Sequence, residues 1–440
     1  MSSPALPDRP FRFGGAVRSL GPAERRALFE RTTSADDRVR DRTAAIVRRV
    51  RDGGDGALVA LARELDGVTL ERLEVPRARW RAALEALPAE LRAALERAQR
   101  NIARAHEAFV PRATEVETEP GVIVGRRPDA LGRVGVYAPG GRAAYPSSLL
   151  MGAVPARVAG VGEVIVCSPP SPDGAPATVV LAAAALAGVD RVFALGGAGA
   201  VAAMAHGTES VPRVDRIVGP GNAYVAEAKL QLAGVVAIDS PAGPSELLVI
   251  ADHTADPAAV ARELLAQAEH DPQAAVVAVC VGDELAEQVE AAVMRLLPAQ
   301  ERLEIVAQAL VGQGGVLVAQ TYNEAVAFAN DYAPEHLLLA VDEAEADTVL
   351  SLVRNAGTVF VGESASVAFG DYMTGANHVL PTGGLARSYS GLSTLDFIRW
   401  TTYQRVTPAA AARLAADVGR FADSERLPGH AAAARYWGRG

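Results

Sequence analysis

The chain has 440 residues, half of them hydrophobic, with a formal net charge of −9 and a pI near 5.4. That is enough apolar sequence for a large core spread over about two to four domains, and an acidic balance without a clustered basic face excludes a general nucleic-acid or anionic-membrane surface. Two cysteines, Cys167 and Cys280, lie far apart in apolar strand-like runs and exclude both a disulfide framework and a cysteine metal cage.

The opening stretch "MSSPALPDRPFRFGG" has no basic segment leading into an apolar one, so neither a signal nor a transit peptide is expected and the expected location is cytoplasmic. From Arg25 to about Ala108 apolar residues recur at three and four spacing, which predicts helices punctuated by Gly53, Gly54 and Gly56. "GVIVGRRP" (121–128) reads as a short strand, and "GRVGVYAPGG" as another that ends in a glycine-rich turn. From there to Asp239 strands and helices alternate, and a second alternating set follows in "SELLVIAD", Pro257 to His270, "AAVVAVCV" and Asp283 to Leu297. The expectation is an α/β protein with two Rossmann-like parallel-sheet domains. After about Leu392 the pattern is helical again. The most apolar run, "TVVLAAAALAGV", is too short to span a bilayer, and no membrane segment is expected.

Lys229 is the only lysine, so a Walker A loop is absent; its run "AYVAEAKLQL" predicts a surface helix. Gly197, Gly199 and Ala202 fit the G-x-G-x-x-A pattern of a dinucleotide pyrophosphate turn, and they fit a plain tight turn equally well. "YAPGGRAAYPSS" (137–148) and "GPGNAY" (219–224) each join a strand to a helix, expected at the strand carboxyl ends where open α/β sheets bind ligands.

The polar candidates lie in the second half. Gln267 and His270 share a helix face near its end, just before Pro272 forbids further helix. "DYAPEHLLLAV" supplies Glu335 and His336, "FGDYMTGANHVLP" supplies Asp371 and His378, and "DSERLPGH" supplies Glu425 and His430. Imidazole nitrogens with carboxylate and amide oxygens suit zinc, manganese or iron, although no H-E-x-x-H spacing occurs, and satisfied helix-end histidines are the plainer reading. His106, His206 and His253 are read as structural.

Eight blocks, among them "YAPGGRAAYPSSLLMGAVPARVAGV", "GPGNAYVAEAK", "AIDSPAGPSELLVIAD", "LLAQAEHDP", "NDYAPEHL", "GDYMTGANHVLPT" and "SERLPGHAAA", resemble the histidinol dehydrogenase family in order and spacing, from about Arg31 to Ala434. The resemblance implies NAD-dependent oxidation of L-histidinol to L-histidine in two hydride steps, the last reaction of histidine biosynthesis, by a zinc-dependent homodimer. It implies Gln267, His270, Asp371 and His430 as metal ligands, the last reaching the partner's site from the C-terminal segment. Glu335 and His336 would carry protons, with His336 the base for the alcohol and Glu335 activating water for the aldehyde. Ser245 and Glu425 would join the metal ligands and His336 in contacting substrate. Tyr137 and Asn222 would contact NAD. Where the family commonly reads "GGAQA" this chain has "GGAGA", so Gly199 replaces a glutamine that touches the dinucleotide, and one hydrogen bond worth about 0.5 to 1.5 kcal/mol would be missing. His378 is given second-shell support and no further role.

The resemblance also implies the domain plan: 33–114 with 245–384 as a first Rossmann-like domain, 137–243 as a second that contacts NAD, 1–32 with 115–136 as an accessory region, and 393–440 as a helical C-terminal domain. Rival readings are a paralogue acting on another amino alcohol or polar diol, a metal-dependent oxygenase or hydrolase, and a binding protein that keeps the fold without catalysis.

Overall fold

Residues 10–31, 36–140 and 144–438 are described in the computed structural model, which leaves the middle of the "YAPGGRAAYPSS" loop outside the described residues. The described chain opens with β1 (Phe13–Ala16) and α1 (Pro22–Phe29). The helical stretch then forms α2 (Asp37–Leu61), α3 (Arg77–Glu85) and α4 (Ala89–Glu107). Asp36 caps α2 by accepting the Arg38 N–H, and α4 buries Leu95, Ala98, Ile102 and His106, the stripe its sequence periodicity dictates.

Two strands follow, β2 (Thr114–Glu119) and β3 (Val122–Ala130). The first parallel sheet is built from β4 (Arg133–Tyr137), β5 (Glu163–Ser168), β6 (Arg191–Ala194), β7 (Arg216–Val218) and β8 (Ala237–Ile238), with α5 (Pro146–Val158), α6 (Thr178–Leu186), α7 (Gly197–His206) and α8 (Ala223–Leu232) between them. The second uses β9 (Glu246–Ala251), β10 (Ala275–Val281), β11 (Gly314–Ala319), β12 (His336–Ala340) and β13 (Thr358–Val361). Its helices are α9 (Pro257–Ala268), α10 (Asp283–Leu296), α11 (Leu303–Gln313), α12 (Tyr322–Tyr332), α13 (Glu343–Leu352) and α14 (Val367–Tyr372). The strand β14 (Ile398–Val406) and a hairpin of α15 (Pro408–Ser424) and α16 (Pro428–Tyr436) end the chain.

Every residue of β9, and all of β10 but its last, is buried, as expected of parallel strands covered on both faces. The first sheet has the order β6-β5-β4-β7-β8, and the second β11-β10-β9-β12-β13 with β1 added beyond β11. Counted within each unit, both follow the doubly wound order 3-2-1-4-5, whose direction reverses between β4 and β7 and between β9 and β12. The expected pair of parallel α/β units is therefore present.

The domain plan needs correction at four places. The buried side chains of α2 to α4, including Val50, Leu58, Trp80 and Ile102, share the core of the first sheet, so these helices pack chiefly with that sheet, while Asn101 still donates to the Met373 carbonyl (2.8 Å) in the other segment. That first sheet begins at Arg133, ahead of the expected boundary at residue 137. Segment 10–31 belongs to the second sheet, because β1 pairs with β11 and Leu28 joins its core. The C-terminal region is not purely helical, since β14 runs antiparallel to β3 and makes a three-stranded sheet with β2. The apolar face decides where α2 to α4 go: a helix packs where its stripe is covered, whatever its neighbours in sequence, whereas β14 is placed by its antiparallel pairing with β3. Among the described residues no helix is long and apolar enough to cross a membrane.

His106 is 1% exposed, and burial lowers its pKa to about 4. A histidine depressed on folding contributes stability above its unfolded value near 6.5 and loses it as pH falls toward 4. Acidifying over that window should cost the wild type up to about 3 kcal/mol that a His106→Leu variant does not lose, read from urea midpoints at each pH.

Candidate active site

The two switch points meet the candidate residues at opposite edges. On the first sheet, the loops after β4 and β7 are the two glycine-rich stretches singled out from sequence, both at the carboxyl edge. On the second, Ser245 and Glu335 immediately precede β9 and β12, and His336 opens β12, so these residues stand at the amino edge. The carboxyl end of β9 is occupied by Asp252, which accepts from Tyr322 Oη (2.5 Å), Thr254 Oγ1 (2.6 Å) and the Asp342 N–H (2.8 Å).

At the amino edge, Glu335 and His336 are 6% and 3% exposed. The Glu246 N–H donates to Glu335 Oε2 (2.7 Å), and His336 Nδ1 lies 3.0 Å from the Glu246 carbonyl oxygen and 3.4 Å from Glu335 Oε2. Both oxygens can only accept, so Nδ1 carries the proton and the lone pair of the neutral ring sits on Nε2. Nε2 lies 3.5 Å from Asp371 Oδ1. Burial works against a charged imidazole, but Glu335 and Asp371 outweigh it and raise the His336 pKa to about 10. The chain reaches this position by a sharp turn. The α12 helix ends in Ala333, a buried non-glycine residue at φ 50, before Pro334 directs the chain into β12. Gly357 lies against the Glu335 carbonyl, where an added Cβ would come within 2.5 Å of the oxygen.

The helix end raised by the "LLAQAEHDP" stretch is present. Asp256 caps α9, which ends at Ala268 with Gln267 buried and its Nε2 without a hydrogen-bond partner. Glu263, one turn earlier, accepts the Val367 N–H that starts α14, laying that helix beside the end of α9. Asp371 near its end is mostly buried; burial would raise its carboxyl, but His336, His378 and His270 together hold it below the usual range. The amide would meet a cation through its oxygen and not its nitrogen, and the imidazole of His270 is exposed, two residues past the end of α9 rather than on one helix face with Gln267. Buried amide, half-screened carboxylate and imidazole are oxygen and nitrogen donors of the kind a borderline cation takes. They do not close a cage. His430 on α16 and Glu425 at the end of α15 are exposed, and among the described residues no three His, Cys, Asp or Glu side chains gather as a metal site.

The structure gives His378 a place that sequence did not. Its Nδ1 donates to the Asp371 carbonyl (2.9 Å), so Nε2 accepts from Ser148 Oγ (3.3 Å) in the first turn of α5. Asn377 Nδ2 also reaches the Met151 carbonyl (2.8 Å). The helix that follows the first glycine-rich loop is thereby tied to the segment holding Asp371, and the two sheet edges adjoin.

The three cofactor candidates stand in different surroundings. Tyr137 is buried with its hydroxyl accepting the Gly197 N–H (3.0 Å), and burial pushes its pKa up to about 12. Gly199 is buried on α7 facing α2, where a Cβ would sit in ordinary contact 3.5 Å from Leu61 and 3.6 Å from Leu58, so the helix contact tolerates a side-chain carbon at this position of the apparent fingerprint. Asn222 caps α8, its Oδ1 accepting from the Tyr224 and Val225 N–H groups (3.1 and 3.2 Å), and remains exposed. Gly219, at φ +113, sits so close to the Tyr137 carbonyl that a Cβ would come within 2.1 Å.

Lys229 is not on the surface: its side chain is 4% exposed and paired with Asp239, while Nζ donates to the Gly219 carbonyl (3.1 Å) and Asp239 Oδ2 accepts the Gly219 N–H (2.7 Å). Its helix carries few charges on any face, so periodicity could not show that the ammonium turns inward. A shaped loop above a capped helix N-terminus, at a carboxyl edge, fits a dinucleotide phosphate.

Two doubly wound units with an acid–base pair and candidate metal donors at their junction define a two-domain α/β enzyme architecture. The histidinol dehydrogenase family model matches residues 29–437. A histidinol dehydrogenase of Halobacterium salinarum is 49% identical over 418 residues, covering 95% of this chain and 97% of the relative; one from Methanosarcina mazei is 44% identical over 413 residues and 94% of each. The crystal structure of histidinol dehydrogenase from Elizabethkingia anophelis superimposes with a TM-score of 0.92 at 33% identity, covering 98% of both chains. The chain belongs to the histidinol dehydrogenase family.

Lys229→Met leaves Asp239 buried without its counter-charge, and unfolding free energy in urea should fall by about 3–5 kcal/mol. A loss below about 1 kcal/mol would show that the pair does not hold the loop.

Proposed function

We propose that this protein oxidises L-histidinol to L-histidine through the aldehyde, with zinc bound and NAD as hydride acceptor, as the last step of histidine biosynthesis. The observation that carries the reading is His336: its Nδ1 proton is committed to the Glu246 carbonyl, so Nε2 is the nitrogen that exchanges a proton, and it serves as the base once a bound cation offsets the Glu335 and Asp371 charges that otherwise keep the ring protonated.

In the first step Nε2 takes the hydroxyl proton while hydride leaves the carbinol carbon. In the second, Glu335 is the neighbouring carboxylate that can deprotonate water adding to the aldehyde, and a second hydride then leaves. Burial of both side chains keeps bulk water from competing for these protons. Ser245, one residue ahead of β9, would touch the substrate beside the pair. Gln267, His270 and Asp371 would hold the metal, which when bound supplies a fixed positive charge that orients the amino alcohol and draws off part of the negative field on His336. NAD, when bound, supplies the hydride acceptor; Asn222 and the Gly219 loop would face it from the first sheet.

The fourth metal donor, His430, and the substrate contact Glu425 would come from a second copy of the chain in a homodimer. In support, both are exposed, and the same hairpin exposes Val418, Phe421, Tyr436 and Trp437, the last three by more than half. A contiguous apolar face of this kind marks an interaction surface.

The test counts NADH formed per histidinol consumed, with and without chelator, in the wild type and in His336→Asn. The wild type should give two NADH per substrate, lost on chelation and restored by zinc; His336→Asn should lose about 10²- to 10⁴-fold in kcat while retaining zinc. A folded protein that gives no NADH from histidinol, or an unaffected variant, would contradict the reading.

A further inference from the structure

Glu246 touches both members of the acid–base pair through its peptide, donating to Glu335 and accepting from His336. Its side chain is occupied elsewhere. Glu246 Oε1 accepts from Arg31 Nε (2.9 Å) and from the Gly383 N–H (2.7 Å), and the two charged side chains are only 4% and 2% exposed. Arg31 also donates Nη2 to the Tyr332 carbonyl (2.7 Å) and stacks its guanidinium 3.4 Å from the centre of the Tyr332 ring. Tyr332 ends α12, three residues before Glu335. One arginine therefore grips the head of β9 on one side and the turn that feeds β12 on the other, the two strands of the switch point.

We propose that Arg31 and Glu246 are positioning residues: their ion pair fixes the heads of β9 and β12 against each other so that the Glu246 carbonyl holds the His336 Nδ1 proton and Nε2 stays free as the base. This rests on the reading of Glu335 and His336 as the proton-transferring pair. A buried ion pair is a poor way to add stability compared with apolar side chains of the same volume, but its hydrogen bonds have direction and apolar packing does not. The contact that matters here is directional, because a small slide between β9 and β12 would separate a carbonyl from a ring nitrogen 3.0 Å away. Neither partner touches the reacting atoms; both act through the Glu246 peptide.

The experiment uses the double variant Arg31→Met/Glu246→Gln, which removes both charges together and keeps an acceptor for Gly383. L-histidinol and NAD are the probes, and zinc content and thermal melting are measured on the same samples. The expected result is a folded, zinc-loaded protein whose KM for histidinol is held while kcat falls about 10- to 100-fold, with Arg31→Lys recovering part of the loss. A double variant with wild-type kcat would overturn the proposal, and so would a fall in kcat and zinc content together with a rise in KM, which is what a purely structural role gives. If the double variant does not fold, Glu246→Gln alone is read for the same split between kcat and KM. His336→Asn runs alongside: undiminished turnover there removes the reading of the pair itself, which is a different failure from an inert Arg31–Glu246 pair.

Discussion

A peptide carbonyl oxygen can accept a hydrogen bond and cannot donate one, and at Glu246 that limitation sets the chemistry of the whole site. Because His336 presents Nδ1 to this oxygen and to a carboxylate, the neutral ring has one tautomer, with its basic nitrogen on the far side. The same peptide's N–H holds Glu335, so two protonatable groups take their positions from one residue at the start of one strand. What lies around it serves this geometry. The Ala333 turn delivers Glu335 from α12, Gly357 lets its carbonyl lie close, and α14 brings Asp371 opposite Nε2.

Both sheets are doubly wound in the same order, yet they are used at opposite edges. The first offers its carboxyl edge, the usual place for a nucleotide in an open α/β sheet, where Asn222 caps α8 and Asp239 holds the Gly219 N–H to shape the loop. The second keeps its carboxyl edge for Asp252 and its hydrogen bonds and offers its amino edge, where α9 and β12 deliver side chains. The link from Ser148 through His378 to Asp371 joins the two edges. In the proposed reaction a hydride acceptor would lie at the first edge and the proton acceptor at the second, which is what alcohol oxidation needs.

The alternation of apolar runs made the two parallel units legible, and the motif blocks made the family legible, because each reflects a local pattern. What stayed hidden depends on where chains meet in space. Nothing in the spacing of α2 to α4 says which sheet covers their apolar faces, and β1 is a four-residue strand with two glycines that shows no periodicity. Lys229 looks like any surface-helix lysine until Asp239 is found against it. Arg31 and Glu246 are 215 residues apart and carry no motif that joins them, and His378 acquired a partner only when α5 was placed. The glycines of the apparent dinucleotide fingerprint satisfy a pattern while one of them, Gly199, lies buried between α7 and α2.

The central claim is that a working site takes its acid–base pair from one chain and its last donor from another. It is tested most directly by mixing two inactive variants, His336→Asn and His430→Asn, under conditions that let subunits exchange. If the site is shared, each hybrid dimer has one site with both lesions and one with neither, and the mixture recovers about a quarter of wild-type turnover. If His430 serves its own chain, every site in the mixture carries one lesion, and no activity returns however long the subunits exchange.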